Sequence, residues 1–241
     1  MRPSEVKRTM RKTAMFIFLD TETTGTGPDD RLCQIAFKME TGTPVCELFN
    51  PGMPISVDAM SIHHITDKMV KEKSAFQGSK VHQHLSELLQ DERSVVVAHN
   101  ARFDVEMLRR ENLQPRKVIC TLKLARYLDS NGVIPKYSLQ YLRYYLGLDI
   151  TATAHDALGD ILVLEAVFRR IFDKFMTGGQ RDERVNEMIK ISNSPIRIPR
   201  MPFGKHKGQL FDEIPRDYLE WLLDTGLDED MAYTVRTHLG R

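Results

Sequence analysis

Two hydrophobic periods share this chain. Residues 15–19, 32–39 and 45–49 are short apolar runs of strand type. The cluster Thr41-Gly42-Thr43-Pro44 separates the second from the third, so the three predict an antiparallel meander. Residues 74–89 take helical spacing. Ser94-Val95-Val96-Val97-Ala98 is dominated by β-branched side chains, which predicts a buried strand. Asn100 is placed to cap a helix reaching about Glu111. Residues 117–120 predict another strand, 122–128 a helix, and 138–146 a helix ended by Gly147. The strongest helical pattern covers 156–175. Leu158, Ile161, Leu162, Glu165, Phe168 and Phe172 follow its period, and only Glu165 among them is polar.

Gly178-Gly179 breaks that helix. A polar stretch to about Arg197 follows, with a short helix expected over 183–191. After Pro199 and Pro202 comes a compact segment with Phe203, Leu210, Tyr218, Trp221 and Leu222 as its expected core. The pattern divides the chain into a basic disordered tail (1–14), an α/β domain (15–176), a linker (177–198) and a small module (199–241). With 241 residues there is enough chain for one good core and a small appendage.

Charge and cysteine usage narrow the function classes. A net charge of +1 argues against coating nucleic acid by bulk charge, and leaves room for a local basic groove. The basic start is expected to be a tail, or the product of a start codon upstream of a natural one at Met15. The apolar run 15–19 is too short for a signal-peptide core and ends on Asp20. No run approaches a membrane span. Cys33, Cys46 and Cys120 show no CxxC spacing, so a reduced, cytoplasmic protein without disulfides or a zinc knuckle is expected.

The chemistry lies in three acidic segments. A strand puts residues i and i+2 on one face, so Asp20 and Glu22 project together after the first apolar run. Such neighbours repel unless they share a proton or a cation. Asp104, in HNARFD, falls in the first helical turn after the SVVVA strand, where a carboxylate also suits the helix dipole. In HDALGD, His155 is expected on the loop before the long helix and Asp160 inside it, beside the apolar stripe. A carboxylate there is costly without a counter-charge. Asp20, Glu22, Asp104 and Asp160, with His155, form one constellation. Oxygen donors of this kind select Mg²⁺ or Mn²⁺ over zinc. Such carboxylates hold two cations about 3.5–4 Å apart, the spacing that cleaves phosphodiesters, while a histidine takes a proton from the attacking water.

DTETTG, HNARFD and HDALGD resemble, in type, order and spacing, the three motifs of the DEDD nucleases, in the subclass with HxxxxD in its third motif (DEDDh, of the exonuclease/ribonuclease T superfamily). The resemblance covers about residues 15–175. It implies a ribonuclease-H-like mixed central β-sheet flanked by helices. It also implies a 3′→5′ exonuclease releasing nucleoside 5′-monophosphates from DNA, in repair, replication or proofreading. By resemblance, Asp20, Glu22, Asp104 and Asp160 hold two Mg²⁺ ions, for which Mn²⁺ substitutes, and His155 is the general base. Residues 55–70 resemble the segment lining the terminal-nucleotide pocket, with His63 as its candidate and Thr24 contacting the terminal sugar. Residues 201–223 are similar to a small module that follows the nuclease domain in one DNA-degrading branch of the family, although the loop 26–30 departs from that branch. Lys205 and Lys207, between two glycines, are expected to contact phosphate. The implied partners are DNA 3′ ends and polymerase or repair proteins, with no membrane. The competing readings are an RNA-trimming exoribonuclease and a non-catalytic, polymerase-associated nucleic-acid-binding subunit. Loss of a motif carboxylate would mark the last, and none is missing.

Overall fold

The structure, a computed structural model, describes residues 13–150 and 157–241. Most of the expected tail, and His155 and Asp156, therefore lie outside the described residues. The expected meander forms as β1 (Met15–Thr23), β2 (Leu32–Met39) and β3 (Val45–Leu48). Strands β4 (Ser94–Ala98) and β5 (Val118–Cys120) join β1 in parallel, giving the order β3-β2-β1-β4-β5. This is the mixed sheet with helices on both sides that the motifs implied.

Alternation along β1 decides what each face of the sheet packs against. Ile17 and Leu19 join Ile35, Phe37 and Val96 on the face covered by α3 (Lys80–Gln90) and α4 (Arg102–Arg110). Phe16 and Phe18 meet Val163, Leu164, Val167 and Phe168 of α7 (Ala157–Phe175) on the other. Both faces being covered explains why every residue of β4 is buried and three of its five are valine. Helices α5 (Thr121–Leu128) and α6 (Leu139–Tyr145) flank α7, while α1 (Val57–His63) and α2 (Asp67–Val70) lie in the long connection after β3.

Several boundaries differ from the sequence pattern. Helix α3 starts at Lys80, because Gly78 has a φ of 79° and Ser79 caps the helix through the His82 N–H. Phe76 still enters the core, which is why the apolar spacing ran through the break. Asn100 is not a helix cap: its φ of 62° is left-handed, whereas a cap needs extended backbone. Along α7 the buried set includes Ala157, Asp160, Val163, Val167 and Ile171 besides much of the expected stripe, because the helix is packed on more than one side.

Residues 177–198 are not a loose connection. They contain α8 (Arg181–Ser192), whose Val185, Met188 and Ile191 are buried in the same core as α7. The module beyond holds α9 (Arg216–Leu223) and α10 (Glu229–Leu239) around Ile198, Met201, Phe211, Leu222 and Met231. Its expected core is corrected in two places: Trp221 is 57% exposed and Phe203 43%. The module is pinned to the larger domain. Asp230 pairs with Lys123 at 3.1 Å and accepts from the Ile196 N–H, and Arg200 Nε donates to the Gly132 carbonyl at 2.6 Å. No helix among the described residues is long and apolar enough to cross a membrane.

Candidate active site

Strand β1 runs beyond its apolar half and stays paired with β2 through Asp20 and Glu22. These two side chains therefore continue the Phe16–Phe18 face, which α7 covers. The first turn of α7 brings Asp160 to them, and a carboxylate oxygen of each of the three lies within 4.8 Å of the others. Asp160 is buried. Its Oδ1 accepts from Gln140 Nε2 of α6 at 2.6 Å. Three converging carboxylates give an all-oxygen donor set suited to a hard divalent cation, and the Gln140 N–H orients one of them.

Asp104 approaches from elsewhere. It rides on α4, on the opposite face, and accepts a 2.8 Å hydrogen bond from Thr21 Oγ1. Thr21 lies between Asp20 and Glu22 in sequence and points the other way, so Asp104 falls outside the three-carboxylate group. Burial pushes the Asp104 carboxyl up to about 7, and the Thr21 hydroxyl partly offsets that rise.

The end of motif one is a closed loop. Thr24 Oγ1 donates to Asp30 Oδ1 at 2.6 Å and accepts from the Arg31 N–H at 3.0 Å, while Asp30 Oδ2 accepts from the Gly27 N–H at 2.6 Å. A side chain at Gly25 would put its Cβ 2.6 Å from Asp30 Oδ2 and push that carboxylate off its hydrogen bonds. The Thr24 hydroxyl is thus engaged within this loop and buried. His63 is buried rather than a surface histidine. Its Nε2 bonds the Thr23 carbonyl at 3.0 Å and its Nδ1 accepts from the Ile65 N–H at 3.0 Å. Both ring nitrogens are therefore occupied by backbone, and burial lowers the pKa of the ring.

His99, the first residue of motif two, is a framework group. Its neutral ring bridges Thr121 Oγ1 at 2.9 Å and the Tyr137 carbonyl at 2.8 Å, and burial lowers its pKa to about 4. Lys205 and Lys207 sit on the first turn of the module, and no hydrogen bond among the described residues joins them to the carboxylates. The sequence reading missed Gln140, Thr21 and Asp30. Gln140 stands in an ordinary amphipathic helix away from every motif, and nothing short of its packing marks it.

Residues 17–168 match the profile of the RNase T exonuclease family, and the chain belongs to that family. Residues 194–231 match a second profile, named for quorum-sensing-regulated virulence factors. Among relatives, the chain is 32% identical over 205 residues to exodeoxyribonuclease 10 of Escherichia coli K12, covering 81% of this chain and 84% of that one. It is 33% identical to the DNA polymerase III subunit epsilon of Treponema pallidum, over 64% of this chain and 74% of that one. Among solved structures, exonuclease X in complex with 5′-overhanging duplex DNA matches with a TM-score of 0.58 and 30% identity, covering 74% of this chain and 99% of that one.

Proposed function

We propose that this protein is a divalent-metal-dependent 3′→5′ exodeoxyribonuclease that releases nucleoside 5′-monophosphates from DNA ends in replication or repair. The convergence of Asp20, Glu22 and Asp160 carries the reading. Those three hold the cations, with Asp104 behind them on the other face of β1, and Mg²⁺ is the resident ion, replaceable by Mn²⁺. Bound cations supply a lowered water pKa and charge neutralisation on the departing 3′ oxygen. His155, five residues before Asp160 in sequence, takes the proton from the attacking water. The protein framework supplies rigidity: Gln140 fixes Asp160, Thr21 holds Asp104, and His63 braces the Thr23 carbonyl at the end of β1.

DNA as substrate is supported by the two relatives above and by a basic groove. The groove, of about 870 Å³, is lined by Arg102, Arg109, Arg116, Lys123 and Arg126 and opens beside Asn100 in motif two. Glu106, Asp228, Glu229 and Asp230 line it as well, and Glu106 and Asp230 pair with Arg109 and Lys123, so the groove is basic by a small excess. Such a lining attracts phosphate. Polymerase or repair proteins are the partners we propose, on the relationship to the epsilon subunit. A reduced, cytoplasmic setting agrees with Cys33, Cys46 and Cys120 forming no disulfide. The test is incubation with Mg²⁺ and matched DNA and RNA oligonucleotides labelled at the 5′ end. Stepwise shortening of DNA with release of 5′-monophosphates is expected. Preferential RNA shortening, or no shortening of either, overturns the reading.

A further inference from the structure

The module buries nine apolar residues, Ile198 to Leu239, without using its largest rings. Trp221, the only tryptophan of the chain, and Phe203 stay largely in solvent. Trp221 is the exposed end of a row of rings whose other members, Tyr218 and His206, are half-buried. His206 lies against Tyr218 with ring centroids 4.5 Å apart, and Tyr218 lies against Trp221 at 5.3 Å. One end of this row is the turn carrying Lys205 and Lys207, both exposed and without an ion pair among the described residues.

That turn is rigid. Met201 N–H donates to the Gln209 carbonyl at 3.0 Å and Gly208 N–H to the Met201 carbonyl at 2.8 Å, while His206 Nδ1 bonds Gln209 Oε1 at 2.6 Å. Gly204, with φ of 71°, abuts the Tyr218 hydroxyl, which a Cβ there would meet at 3.0 Å. The backbone that carries the lysines is therefore fixed relative to the rings, so binding has to order only their side chains.

We propose that this row is a stacking platform for unpaired nucleotides: a base lies on Trp221 and the adjoining phosphates run toward Lys205 and Lys207. An exposed indole backed by two half-buried rings, with unpaired ammonium groups at the far end of the row, matches the chemistry of a single strand, which offers a π-face and a phosphate at each step. A duplex hides its base faces and fits poorly. The acids of α9 set the direction. Asp217 and Asp224 flank Trp221 at i−4 and i+3 on its own helical face, and Glu220 is already paired with Arg216 and Arg241. Phosphates are repelled along the helix and accommodated only on the turn side. The bound stretch is therefore short, about two phosphates, and independent of base sequence.

The experiment uses the full chain in EDTA, where turnover is absent and Trp221 is the only tryptophan fluorophore. A thymidylate oligonucleotide should quench its emission saturably, and the matching duplex much less. The Lys205→Ala/Lys207→Ala double variant should weaken the quenching and flatten its salt dependence by about 1.4 in slope, near 0.7 for each single-strand phosphate that is no longer neutralised. By anisotropy of a labelled oligonucleotide, Trp221→Ala should bind about 5- to 100-fold more weakly, and Trp221→Phe should recover most of that affinity. Unchanged emission at saturating oligonucleotide overturns the proposal, as does wild-type affinity in Trp221→Ala. So does a response to a lysine-rich peptide without one to DNA, since the acid-flanked tryptophan would then be a protein-docking face. The platform is independent of the metal site. Quenching without exonuclease activity would leave the platform standing and remove the proposed function, and the reverse result would do the opposite.

Discussion

Gln140 Nε2, on α6, reaches Asp160 Oδ1, on α7, across 2.6 Å, and so ties a surface helix to a carboxylate of the candidate site. An amide in this position orients a ligand without adding charge. Replacing it with alanine should raise the metal concentration for half-maximal activity by about 10- to 100-fold with little change in Tm. Gln140→Glu should do more damage, since it adds a like charge. An unaltered metal titration in Gln140→Ala would make the contact incidental.

Asp20→Asn and Asp160→Asn test the carboxylate cluster itself. Activity should fall by several orders of magnitude in either variant while the fold survives. In metal-free buffer the Tm should stay level or rise, by about 2–4 °C per kcal/mol of repulsion relieved. Near-normal turnover in either would remove the ligand assignment.

His155→Ala should slow chemistry by about 10²- to 10⁴-fold. DNA binding measured with Ca²⁺ in place of Mg²⁺ should hardly change. Single-turnover rates separate the two, and a variant with wild-type single-turnover rates would leave His155 without a catalytic role.

His99 predicts a pH effect on stability. Burial lowers its pKa to about 4, against about 6.5 in an unfolded chain. Between these values the unfolded chain binds the proton and the folded chain does not. The contribution is therefore complete above about pH 6.5 and is lost as pH falls toward 4, on the order of 1–2 kcal/mol by pH 5. Denaturation of His99→Gln across this range should show a flatter pH dependence than the parent, and equal slopes would contradict the assignment.

Asp230→Ala removes both the partner of Lys123 and the acceptor for the Ile196 N–H. Leaving these groups unpaired in a buried setting should cost about 1–3 kcal/mol. Urea unfolding should register that cost as a lower midpoint, and an unmoved midpoint would mean that the Asp230 contacts do not hold the module.

Local order carries much of this protein. Short apolar runs mark β1, β2 and β4, because both faces of the sheet are covered, and the period of 3.6 marks α7. DTETTG puts Asp20 and Glu22 on one face through strand geometry alone, and the chemistry of paired carboxylates then points to a cation. The module could be separated from the nuclease domain by its prolines and glycines. Its surface could not be read, because a lone tryptophan in an apolar helix looks the same in sequence whether it is core or exposed. Tertiary structure alone decided that Trp221 faces solvent, that α8 belongs to the main core, and that Thr24 is committed to Asp30. It also decided which acids converge. Asp160 reaches Asp20 and Glu22 because α7 packs on their face, and Asp104 meets Thr21 because α4 packs on the other. Sequence fixes on which side of its own strand or helix a residue points; which elements then meet across the sheet depends on the packing of segments far apart in the chain.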